Sequence, residues 1–416
     1  MRQIFVTLHK WAGLLIAGFL VMSGLTGAVI SWDHELDELL NAHLTTARAT
    51  GPALPSLELA RQIEARHPQV TVVAIPMAAE PGHSLVFGVE PRFDPVADRH
   101  FEPGFNQVFV DPASGEELGR RAWGSVWPIN RENFVSFLYE LHYSLHLPTL
   151  WGIDRWGTWL MGLIALIWTV DCFTGFYLTL PARRTRSGEV SAPQPGKTWW
   201  RRWMPAWKIR RGTGFYKLNF DLHRAFGLWT WALLLVIAFT AFSLNLYREV
   251  FFPAMSLVSD VTPTPFEQRL PAPANQPVNP VLSYANALEV STKEAQHRGW
   301  TAPVGKLLYA RLFGIYVAQF YTPDDEHGAG GVGHPMLFVD ALNGQILGST
   351  EPWKGTAADL FVQAQFPLHS GRILGLPGRI LISTMGIVVA ALSVTGVVIW
   401  LRKRRARGHL PQKTPR

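Results

Sequence analysis

A single cysteine, Cys172, occurs in the 416 residues of the chain. That excludes an internal disulfide, a Cys-ligated iron–sulfur cluster, a dithiol redox pair and a C-x-x-C-H attachment for covalent haem. Charge is scarce as well: Asp, Glu, Lys and Arg make up 17% of the sequence, against about 25% in an ordinary soluble domain. No G-x-G-x-x-G joins a strand to a helix, so the chain has no nicotinamide or flavin fingerprint of its own. What it has instead is apolar bulk, with 48% hydrophobic residues and 17 tryptophans. This is the composition of a membrane protein.

Four stretches, roughly Leu8–Ser31, Trp156–Leu180, Leu222–Leu246 and Gly378–Leu401, reach the length of about 20 apolar residues that crosses a hydrocarbon core of about 30 Å. The first is too long for a signal-peptide h-region and no A-x-A-like site follows it, so it is expected to be retained. The net charge of +7 is unevenly spread. Residues 183–217 hold ten Lys/Arg and one acid, and the tail after Leu401 holds seven and none. Residues 33–130 hold fourteen Asp/Glu against seven Lys/Arg, and residues 253–355 nine against six. Basic loops stay cytoplasmic. The pattern therefore predicts both termini inside and two acidic segments outside, and it reads as topology rather than nucleic-acid affinity.

The chain repeats itself. Leu8-His9-Lys10-Trp11-Ala12-Gly13-Leu14 returns as Leu222-His223-Arg224-Ala225-Phe226-Gly227-Leu228, and a threonine follows each histidine by seventeen residues, at Thr26 and Thr240. In the outer segments a hairpin pattern, F-V-D-x-x-[SN]-G-[EQ]-x-L-G, starts at Phe109 and again at Phe338. The second and fourth apolar stretches are each preceded by a Leu-His pair, Leu141-His142 and Leu368-His369, and each ends in Thr-Gly before a basic cluster. Such duplication outranks local guesses when a fold is assigned. The expected fold is a membrane α-helical one, with four transmembrane helices in two parallel pseudo-symmetric repeats and two outer α+β domains. Residues 1–31 would form the first transmembrane helix and 32–130 the first outer domain. Residues 131–180 would be the second helix with an outer extension, and 181–217 a basic inner loop. Residues 218–247, 248–365, 366–401 and 402–416 would be the third helix, the second outer domain, the fourth helix and an inner tail.

This arrangement pairs His9 with His223 near the inner face and His142 with His369 near the outer face. Two equivalent histidines across an axis suit the two axial positions of a haem iron, so the expectation is two haem b groups, roughly half a bilayer or slightly more apart. A lone histidine near a membrane interface is usually a polar anchor; four in matched pairs point to ligands, and intramembrane ionisable groups default to function. Zinc or copper also accepts imidazole, but no Cys, Met or carboxylate is expected nearby to complete a shell. His146, four residues after His142, is the alternative outer ligand. Lys10 and Arg224 inside, and Arg155, Arg372 and Arg379 outside, would neutralise propionates or simply anchor at the interface. The glycine run Gly328–Gly333, flanked by His327 and His334, is a candidate substrate-facing lid. The segment from Trp199 to Trp207 would lie on the membrane or receive an electron donor.

The L-H-x3-G-L heads, the Thr-Gly tails, the four apolar stretches and the two F-V-D hairpins resemble PepSY-associated transmembrane proteins over nearly the whole chain. The closest likeness is to bacterial inner-membrane reductases of ferric siderophores. That resemblance implies two b-type haems on His9, His223, His142 and His369, PepSY-like periplasmic domains, a ferric siderophore as substrate, and electrons from a cytoplasmic donor or quinol. Ala241 departs from the pattern, giving Thr-Ala where the other three sites have Thr-Gly. Two rival readings are a PepSY protein that binds or inhibits a periplasmic partner without catalysis, and a histidine-based metal-ion transporter.

Overall fold

A computed structural model describes residues 1–181, 198–325 and 328–408; residues 182–197 of the basic inner loop, His327 and the end of the basic tail lie outside them. Helix α1 (Arg2–Ile30) is one unbroken rod, as expected of 29 residues without proline. α2 (Asp33–Thr45) follows it, and α3 (Ser56–Arg66) begins the segment that carries the first strands. α4 (Phe134–Ser144) leads to the long α5 (Trp156–Thr179). α6 (Phe215–Trp229) and α7 (Trp231–Asn245) come next, then α8 (Tyr284–His297), α9 (Ala357–Ser370) and α10 (Leu376–Gly408).

The expected set of four continuous transmembrane helices is not found. Among the described residues three helices are long and apolar enough to cross a membrane: α1, α5 and α10. The third apolar stretch is broken instead, with α6 and α7 meeting at 70°. The break falls at Thr230, whose backbone leaves the helical region and whose hydroxyl donates to the Phe226 carbonyl at 2.7 Å. Such back-bonding often accompanies helix bends, but α1 carries the same bond at Thr26 and stays unbroken, so it does not by itself account for the break. No proline or glycine marks the position, so apolar composition on both sides hides it.

The outer segments also differ from expectation. Instead of two separate α+β domains, their strands form one antiparallel sheet of eight. In chain order these are β1 (Val70–Pro76), β2 (Leu85–Pro91), β3 (Gln107–Val110), β4 (Glu117–Arg121), β5 (Val304–Ala310), β6 (Ile315–Phe320), β7 (Met336–Asp340) and β8 (Ile346–Thr350). The spatial order is β8-β7-β6-β5-β1-β2-β3-β4. Each half alone would expose β1 or β5 as an edge; pairing Ala74 with Leu308 and Ile75 with Leu307 removes both edges. The seam is tied again by Tyr284 of α8, whose hydroxyl donates to the Val72 carbonyl at 2.7 Å. Met77 and Tyr284 pack against the cores of both halves. α3 covers one half through Leu59 and Ile63, and α8 covers the other through Ala287 and Ala295.

The repeated hairpins owe their pattern to one aspartate each. Asp111, fully buried, accepts from the backbone N–H groups of Arg48 and Ala49 on one oxygen and of Ala113 and Ser114 on the other, at 2.6–3.0 Å. Asp340 accepts from the N–H groups of Leu342 and Asn343 and from the Arg269 guanidinium at 2.6 Å. The motif glycines, Gly115 and Gly344, hold φ of +71° and +78°, a region that favours glycine.

Burial alone would raise the Asp111 pKa, but the four N–H donors outweigh it and hold the carboxyl well below the usual range. Because the folded value is the lower one, this stabilisation is full above the unfolded value of about 3.9 and fades as pH falls below it. Hydrogen bonds to a charged acceptor contribute about 1.5–3 kcal/mol each. Asp111→Ala is therefore expected to weaken the β3–β4 hairpin by about 3 kcal/mol or more, measured as faster amide exchange over residues 107–121. Wild-type protection in that variant would show that the carboxylate does not hold the turn.

Candidate functional site

The helices bring the four sequence-matched histidines together in two pairs. His9 of α1 faces His223 of α6 with ring centroids 6.2 Å apart, and His142 of α4 faces His369 of α9 at 6.1 Å. His142 and His369 ride on short helices that end just before α5 and α10 begin. α4 ends through Leu145 and His146, both in the left-handed region. That turn folds His146 back onto its own helix, where its ring stacks on Phe137 and bonds the Phe137 carbonyl at 2.8 Å. His142, not His146, therefore meets His369. Along α1, His9 and Thr26 are seventeen residues apart, about 25 Å of helix rise; Thr26 touches His142. The two histidine pairs thus lie toward opposite ends of α1.

Each imidazole is held at Nδ1 by a neighbouring helix. Thr26 Oγ1 lies 3.0 Å from His142 Nδ1, and Thr240 Oγ1 lies 3.0 Å from His369 Nδ1. His223 Nδ1 sits 3.0 Å from both Thr395 Oγ1 and the Leu392 carbonyl. These three hydroxyls donate their own hydrogens to the carbonyls of Met22, Val236 and Ala391. Their oxygens therefore accept from the rings. His9 Nδ1 meets both carboxylate oxygens of Asp171 at 2.9 Å. In every case Nδ1 donates to the neighbouring oxygen, the arrangement in which an outer partner fixes a metal-binding histidine.

At three of the four rings a glycine beside the contact completes the fit; the fourth, after Thr240, has Ala241 instead. A Cβ on Gly27 would stand 2.9 Å from His142 Cε1, one on Gly396 would stand 3.2 Å from His223 Cε1, and one on Gly175 would stand 3.4 Å from His9 Cε1. The Thr-Gly pairs are thus histidine cradles, where sequence reading saw only helix tails. Of the small residues on α1, Gly24 does serve helix packing: a Cβ there would reach the Gly386 carbonyl of α10 at 2.6 Å. Gly13 and Gly18 have open space beside them.

A cavity of ≈ 430 Å³ opens beside the outer pair, lined by His142, His369, Tyr139, Tyr143, Arg155 and Arg372 above mostly apolar side chains. This lies within the range of about 300–1,000 Å³ usual for cofactor and ligand sites. Arg372 stands 3.3 Å from Asp33 and over the Phe366 ring. Arg155 is paired with Glu249 at 3.0 Å, and Arg379 bonds the Ser31 carbonyl and Glu35. At the inner level Lys10 lies over the Trp11 ring. Arg224 turns away from the histidines to Asp221 at 3.0 Å and the Pro205 carbonyl at 2.7 Å. With Arg210 on the same buried carboxylate, it clamps the segment containing Trp203 and Trp207 onto α6. His334 stacks on Tyr321, and the glycine run beside it rests against Arg372 at the cavity mouth.

The ring separations leave room for a metal ion between the two imidazoles of each pair. A first-row metal–imidazole bond of about 2.0 Å on each side, with about 1.1 Å from nitrogen to centroid, would bring opposed rings about 6.2 Å apart. Two imidazoles per pair would supply two ligands, leaving the rest of a metal's shell to a planar tetradentate macrocycle. Among the described residues no group of three or more His, Cys, Asp or Glu is gathered as a bare-ion cage. The pairs and the apolar cavity fit haem b.

Asp171 places a carboxylate beside His9 where none was expected; it is the one Asp, Glu, Lys or Arg of α5, and a charge within an apolar helix is itself a signal. No curated protein matches the chain. The match to the family described as the PepSY-associated TM region runs from residue 6 to residue 403 and takes in all four cradles and both hairpins; the chain belongs to that family.

Proposed function

We propose that this protein carries electrons across a bacterial inner membrane to a ferric chelate of the siderophore type in the periplasm. The supporting observation is the double imidazole pair, with separations of 6.2 and 6.1 Å and Nδ1 engaged on all four rings. His9 and His223 would hold one haem b, and His142 and His369 a second. Bound there, haem supplies one-electron redox chemistry at two levels of the bilayer.

The chain's own residues supply the rest. The cradles keep each Nε2 unprotonated and aligned, so little reorganisation accompanies a change of charge between the rings. Apolar walls around the outer pair exclude water. Lys10 and Arg372 supply cations for the cofactor's carboxylates, and Arg372 with Tyr139 and Tyr143 forms a polar mouth where an anionic chelate can rest. Each ferric ion takes up one electron, originating from a cytoplasmic reductant or a quinol, and leaves as ferrous ion, which hard oxygen ligands hold less tightly. The basic segments at the His9 level support placing both termini in the cytoplasm.

Purified protein should contain close to two haems per chain and give a b-type α-band in the reduced-minus-oxidised spectrum. His369→Ala should remove about half of that haem, and His9→Ala with His369→Ala nearly all of it. A colourless preparation that binds zinc would favour ion transport, and one that binds neither would favour a partner-binding role.

Gly27→Val, which would push a side chain against the His142 ring, should deplete the outer haem selectively. The His9/His223 spectrum should be retained, and an unchanged haem content would show that the cradle is not needed.

A further inference from the structure

Three of the four histidines donate to neutral oxygens, and one does not. His142, His223 and His369 meet threonine hydroxyls or a carbonyl, whereas His9 meets a carboxylate. The difference occupies equivalent positions in the two sequence copies. Thr174 corresponds to Thr395 and Asp171 to Leu392, each three residues before its threonine. Where the second copy uses the Leu392 main-chain carbonyl to hold its histidine, the first uses a side chain with a full negative charge.

Asp171 is built for that contact. Its side chain is 10% exposed, and it accepts a further hydrogen bond from Thr174 Oγ1 at 2.6 Å. Among the described residues its ion-pair partner is His9, with no Lys or Arg in range. A carboxylate on the far nitrogen makes an imidazole a stronger donor to whatever Nε2 binds, and it places negative charge next to the site. Both effects favour the more oxidised, more positive state of a bound iron and lower its potential.

The geometry points to Asp171 as the residue that sets the His9/His223 site at a lower reduction potential than the His142/His369 site, so that electrons run downhill toward the outer face. This rests on the two-haem reading above. Asp171 acts through His9 and is a positioning residue. Reduction adds one electron at the iron, supplied in the test by an external mediator, and it makes or breaks no bond.

The test is a spectroelectrochemical titration of the full chain in detergent, with His369→Ala used to assign the inner step. In wild type the inner step should be the lower of two. Asp171→Asn keeps the shape and the hydrogen-bond acceptor but removes the charge. It should raise the inner step by at least tenfold in equilibrium constant, about 59 mV for one electron, with the outer step and two haems per chain unchanged. An inner step that is already the higher in wild type, or one that stays put in Asp171→Asn, overturns the inference while leaving the two-haem reading intact. Wild-type protein without haem overturns that reading instead. If Asp171→Asn loses the inner haem, Asp171→Glu decides: haem retained with a low inner step supports tuning by charge, and haem lost again makes Asp171 purely structural.

Discussion

An imidazole in an apolar interior has two nitrogens to satisfy, and this protein satisfies one of each ring's pair from a neighbouring helix. That single contact governs the rest of the structure. It fixes the tautomer and orients the ring, and it leaves the second nitrogen facing a gap of metal-binding width. It also dictates which helices touch. α1 must lie against α5 for His9 to reach Asp171 and against α4 for Thr26 to reach His142. α6 must lie against α10 for His223 to reach Thr395, and α7 against α9 for Thr240 to reach His369. Unpaired, each buried ring N–H would cost about 1–3 kcal/mol, so the packing and the site specify each other.

Much of this was legible in the chain. The four histidines, the duplication, the Thr-Gly pairs and the hairpin motif are periodic features, and spacing reveals them. The hairpin reading held because Asp111 and Asp340 act locally, through N–H groups two and three residues on, so the pattern contains its own cause. The role of the Thr-Gly pairs was not legible. Thr26 meets His142 across 116 residues and Thr174 meets Asp171 across three, and nothing in a run of sequence distinguishes the two uses. The same limit applies to the sheet. Two hairpin units of similar pattern look like two domains, and only the pairing of Ile75 with Leu307, set by the shapes of both halves, makes them one. The bend at Thr230 was hidden because a hydrophobicity window averages over a single break between two apolar runs.

Fusing the sheet has a mechanical consequence. The strands of the first half follow α1 and α2 and lead to α4, while those of the second lead into α9. A rigid seam between β1 and β5 therefore fixes the spacing of the two helices that bear His142 and His369. The glycine run between β6 and β7 rests on Arg372, immediately beyond α9, so the sheet also touches the mouth of the outer cavity. Two independently tethered domains would leave the 6.1 Å gap between these rings to the membrane helices alone. One sheet braces it from above.

The bend between α6 and α7 completes the argument at the inner face. α1 serves both levels as one rod, with His9 near one end and Thr26 near the other. Its counterpart does the same work in two pieces: α6 brings His223 to α10, and α7 brings Thr240 to α9. A 70° turn at Thr230 would loosen that division unless α6 were anchored separately. The anchor is Asp221, fully buried two residues before His223 and gripped by Arg210 and Arg224. A buried carboxylate with one guanidinium removed would be left partly uncompensated, a large penalty in a low-dielectric setting. Arg224, which the sequence offered as a cofactor-binding cation, is thus engaged by Asp221 and the Pro205 carbonyl. The second copy gives up that cation to keep its histidine in place, and Lys10 of the first copy, over the Trp11 ring, has no such duty.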